Sequence, residues 1–67
     1  MIKRAIINAL EARYNAQIAE SEATIKIYLE QSVGIGEHSD IVEAIQHELD
    51  TMAAASDRIE MLEKHFS

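Results

Sequence analysis

The sequence predicts an all-α protein: an antiparallel two-helix hairpin, expected to dimerise into a four-helix bundle. Three observations carry that expectation. Proline is absent from the 67 residues, and both glycines fall in one short stretch, "SVGIGEHSD" at 32–40. Helix-forming residues fill almost all of the rest. On either side of the stretch, apolar residues recur at spacings of three and four, the period of one helical face.

The first helix is expected over about 2–31. Its stripe runs Ile7, Leu10, Tyr14, Ile18, Ser21, Ile25 and Tyr28, with Leu29 widening it near the end. The turn spans about 32–38. Gly34 suits the left-handed position just past a helix end, where a side chain would clash. Ile35 then packs back on Leu29, which accounts for an apolar residue in a turn. The second helix is expected over about 39–66, with Ser39 or Asp40 as its cap and Asp40 and Glu43 at capping-box spacing. Its stripe runs Ile41, Val42, Ile45, Leu49, Met52, Ser56, Ile59, Leu62 and Phe66. Asp40 and Glu43 suit the positive end of the helix dipole, and Lys64 and His65 the negative end. Each helix would be roughly 40 Å long at 1.5 Å per residue. Neither stripe has the period of two that a strand needs.

A short connection makes the helices antiparallel neighbours. Folding the chain about residue 35 sets Ile18 near Met52 and Tyr14 near Ser56. The small residues of "MAAAS" at 52–56 then face Tyr14, Ala16 and Ala19, and Lys3 and Arg4 approach Glu60 and Glu63.

A single 67-residue domain buries too little surface to be comfortably stable without a staple. Cysteine is absent, so disulfides are excluded and oligomerisation remains. The apolar residues also exceed what one helix–helix seam covers, since Ile2, Ile6, Ile27, Ile41, Val42 and Met61 lie off it. A second hairpin would hide them. The expected oligomer interface is Ile7, Leu10, Tyr14, Ile18, Ile25, Tyr28, Val33, Ile35, Ile45, Leu49, Met52, Ile59, Leu62 and Phe66.

Charge narrows the function classes. Residues 1–36 hold four basic and four acidic side chains; residues 37–67 hold two basic and eight acidic, a net −6. Direct binding to nucleic acid phosphates, which rests on clustered Lys and Arg, is not expected. No apolar run is long enough for a membrane span. The start "MIKRAIINAL" lacks the pattern of a targeting segment, and a cytoplasmic protein is expected.

Candidate chemistry is thin. Gly34-Ile35-Gly36 lacks the longer nucleotide-binding fingerprints and reads as a helix stop with a link. Glu43 and His47 share a helical face near His38, but the Glu-x-x-His spacing of di-iron bundles is not met, so no metal or other cofactor is expected. Ser32, His38, Ser39 and Asp40 include the residue types of a hydrolase triad without a scaffold or oxyanion hole, and no enzyme activity is expected. Tyr14 and Tyr28 read as core or interface residues, and Met52 and Met61 as gap-fillers.

The run "YLEQSVGIGEHSDIVEAIQHELD", with "DRIEMLEKHF" behind it, resembles small helical proteins of large tailed bacteriophages, those of marine cyanobacteria in particular. The sharpest elements are Val33-Gly34-Ile35-Gly36-Glu37-His38 and Asp40-Ile41. The chain departs from the group at Ser39, where the relatives carry proline, a residue equally at home at a helix start. The resemblance implies no catalytic residues. It implies a setting, a phage product in a bacterial cytoplasm or a virion, with Glu37 and His38 as a possible partner contact. The expected function is self-association and binding to a host or phage protein, with a minor virion or assembly component as one alternative. An acidic nucleic-acid mimic using Glu43, Glu48, Asp50, Asp57 and Glu60 is the alternative from a different class.

Overall fold

The computed structural model describes residues 2–31 and 39–67. They form two helices, α1 (Ile2–Gln31) and α2 (Ser39–Phe66), packed against each other as an antiparallel hairpin. The particle measures 53 × 15 × 12 Å, a rod little longer than its helices, with the two lying side by side across it.

One contact fixes how the helices lie. The Ser21 hydroxyl donates a 2.7 Å hydrogen bond to a Glu48 carboxylate oxygen. Stepping seven residues in opposite directions from that pair keeps the same faces together, because seven residues make close to two helical turns. The layers are then Ile7 with Leu62, Tyr14 with Ala55, Ser21 with Glu48, and Tyr28 with Ile41. Burial follows these layers: among the described residues Ile7 (5% exposed), Ser21 (3%) and Ala55 (0%) are buried, and Tyr14, Tyr28, Ile41, Glu48 and Leu62 are half-buried. The layers alternate bulk, as close packing requires. A tyrosine faces an alanine, and a serine faces a glutamate.

The seam has a polar middle. Gln17, Thr24 and Thr51 are half-buried around the Ser21–Glu48 layer. The Thr24 hydroxyl donates to the Glu20 carbonyl at 3.0 Å and that of Thr51 to the His47 carbonyl at 3.3 Å, so both threonines satisfy themselves on their own helix. Arg58 lies over the Tyr14 ring, 5.7 Å from its centroid, one helical turn beyond Ala55. At the open end, the Ser67 hydroxyl donates to the Glu63 carbonyl and closes α2. Asp40 lies in the first turn of α2 and Lys64 and His65 in the last, which matches the helix dipole.

Four details differ from the sequence reading, and two share one cause. The expected fold-back about residue 35 set Tyr14 opposite Ser56, but the layers set it opposite Ala55. A slip of one residue turns a helix by about 100°, so Ser56 and Leu49 leave the seam for solvent and Ala55 and Glu48 take their places. Ala16 and Ala19 do not meet the 52–56 run; both are exposed on the far side of α1. Lys3 lines one cleft with Leu62 and Phe66, and neither Lys3 nor Arg4 makes an ion pair with Glu60 or Glu63, the ion pair among the described residues being Lys26–Glu22 at 3.1 Å.

Candidate interaction surface

The surface area is 5141 Å², against about 4200 Å² for a compact monomer of this mass. The radius of gyration is 15.6 Å, against about 11 Å for a compact chain of this length. The excess is apolar in three places.

The first lies at the open end of the hairpin. Ile2, Ile6, Ile7, Leu10, Leu62 and Phe66 line an open cleft of about 490 Å³. Ile2 is 76% exposed and Phe66 54%. The Phe66 ring also meets His65 edge-on, centroids 6.4 Å apart.

The second is the outer face of α1, opposite the seam. Ile2, Ala5, Ala9, Ala12, Ala16, Ala19 and Ala23 follow one another at alternating steps of three and four, and all are exposed. Along one margin of this face run Ile6, Arg13, Glu20 and Ile27, seven apart. Ile6 and Ile27 are each 54% exposed. α1 is thus apolar on both its faces, the pattern of a helix enclosed on more than one side.

The third is an edge of α2 carrying Val42 and Leu49, both mostly exposed, beside half-buried Ile45 and Met52. A fourth, polar groove lies between the helices at mid-length, where Gln17, Glu20, Asp50, Thr51 and Arg58 gather.

The residues expected at an oligomer interface divide accordingly. Ile7 is buried within the hairpin. Leu10, Tyr14, Ile18, Ile25, Tyr28, Ile45, Met52, Ile59 and Leu62 are half-buried along the seam and its margins, and Leu49 and Phe66 are exposed. Val33, Ile35, Glu37 and His38 lie outside the described residues. Sequence reasoning sets two members of the alanine face, Ala16 and Ala19, against α2, because the larger side chains of the Ile7–Tyr28 stripe dominate a hydropathy reading. The signal of the face, seven small or apolar residues at three-four spacing, stands in the sequence.

Of the acidic residues of α2, Glu43, Asp50, Asp57 and Glu60 are exposed, but Glu48 is turned inward onto Ser21. Among the described residues, no three His, Asp or Glu side chains gather to hold a metal ion, and no helix is long and apolar enough to cross a membrane. No protein-family model, curated protein or solved structure matches the chain.

Proposed function

We propose that this protein is a self-associating helical hairpin, two copies meeting in a four-helix assembly, and that it acts by binding protein rather than by catalysis. The observation that supports this reading is the unpartnered surface of α1. That helix packs on α2 by one face, while Ile2, Ile6 and Ile27 and the alanine row stand in water. Burying an isoleucine fully is worth about 1.5–3 kcal/mol. Three from each copy, 54–76% exposed, would supply several kcal/mol toward association, on the order expected from the area they would bury. In the phage setting that the resemblance implies, such a module works in the host cytoplasm or as a minor virion component.

Sedimentation equilibrium from about 1 to about 100 µM tests the reading, since self-association follows protomer concentration. The expected result is a species of twice the chain mass of 7.5 kDa. A compact, heat-resistant monomer throughout that range removes the proposal. A charge mimic, in contrast, would release a basic partner steeply as salt rises.

A further inference from the structure

We infer that the outer face of α1 seats the α1 of a second copy, antiparallel, with Arg13 of each chain against Glu20 of the partner subunit. This rests on the self-association reading and names its face, orientation and register.

Charge selects the face. α1 carries four basic and four acidic side chains and is neutral; α2 carries two basic and seven acidic, a net −5. Pairing two copies through α2 would set one acidic helix on another. Pairing them through α1 leaves both acidic helices outermost and far apart. The alanines let two α1 backbones approach to the short end of the 8–10 Å range of helix packing.

Charge also selects the orientation. The first half of α1 holds Lys3, Arg4 and Arg13 against Glu11. The second half holds Glu20, Glu22 and Glu30 against Lys26. Antiparallel pairing lays the basic half on the acidic half and opposes the two helix dipoles; parallel pairing lays like on like.

The margin of the face then sets the register. Arg13 and Glu20 lie about 10.5 Å apart along the axis, so they do not pair within one helix. About a two-fold axis they meet reciprocally, giving two equivalent ion pairs. The same register brings Ile6 against the partner's Ile27, again twice, because both couples share one midpoint. On the face itself, Ala16 then lies within about 1.5 Å along the axis of the partner's Ala16, and Ala9 of the partner's Ala23. A single alignment satisfies the charges, the exposed isoleucines and the small residues together.

Charge reversal tests this; because Glu20 also borders the groove that holds Arg58 of its own chain, the mixed and double variants serve as controls for the hairpin. Arg13→Glu and Glu20→Arg each convert two attractions into two repulsions and should raise the dimer dissociation constant about tenfold or more. An equimolar mixture of the two variants should form heterodimers with the affinity of the parent protein, and so should the double variant R13E/E20R. Helix content by circular dichroism is followed at the same concentrations. Single variants that lose helix and regain it on mixing support the inference; variants that stay apart when mixed overturn it. A dimer indifferent to both reversals overturns this face and register but leaves self-association standing. A parent protein that is monomeric throughout removes both.

Discussion

The Ser21 hydroxyl donates to the Glu48 carboxylate across the middle of the hairpin, 2.7 Å away, and Ser21 itself is 3% exposed. A polar pair at this point selects one alignment of two helices whose apolar residues alone would tolerate others. Sliding either helix takes the half-buried carboxylate away from its hydroxyl donor, a cost that buried polar residues impose on wrong registers.

Removing half of this pair should therefore cost more than removing all of it. Ser21→Ala leaves the Glu48 carboxylate half-buried without its donor and should destabilise by about 1–2 kcal/mol in urea unfolding. The double variant S21A/E48L should recover most of that loss or exceed the parent. A Ser21→Ala protein as stable as the parent would show that the bond does not anchor the register.

The Tyr14–Ala55 layer makes a volume prediction. Ala55 is 0% exposed, so Ala55→Leu drives the helices apart and should cost about 1–3 kcal/mol by overpacking. The neighbouring Ala53 is exposed, and Ala53→Leu should stay within about 0.5 kcal/mol of the parent. Thermal unfolding of the two variants side by side checks the contrast.

Arg58 over the Tyr14 ring predicts a small, ring-dependent term. Arg58→Ala should cost about 0.5–1 kcal/mol, as a cation over an aromatic face does at a partly exposed site. Tyr14→Phe keeps the ring and should change little, whereas Tyr14→Leu should make Arg58→Ala nearly silent. A double-mutant cycle with no coupling between positions 14 and 58 would exclude the contact as a source of stability.

The outer face of α1 and the edge of α2 are separable by one lysine each. Ala16→Lys should weaken dimerisation by about tenfold or more, because it sets a long charged chain where the partner backbone must approach. Val42→Lys, on the α2 edge, should leave the dimer constant within about threefold. The reverse ordering in sedimentation would place the interface on α2.

The two helices and their antiparallel pairing were legible in the sequence by itself. Three-four spacing over two long segments, with every glycine confined between them, admits little else, since helix formation is a local property of neighbouring residues. The inward stripe of α1, from Ile7 to Tyr28, was legible for the same reason. Only the tertiary structure decided which residues of α2 answer it. A stripe as broad as that from Ile41 to Phe66 leaves the rotation of the helix open, and the Ser21–Glu48 bond with the fit of Ala55 beneath Tyr14 closes it, turning Leu49 and Ser56 to solvent. The alanine face was likewise present in the sequence, but it became visible as unpartnered only once α2 had taken the opposite side of α1.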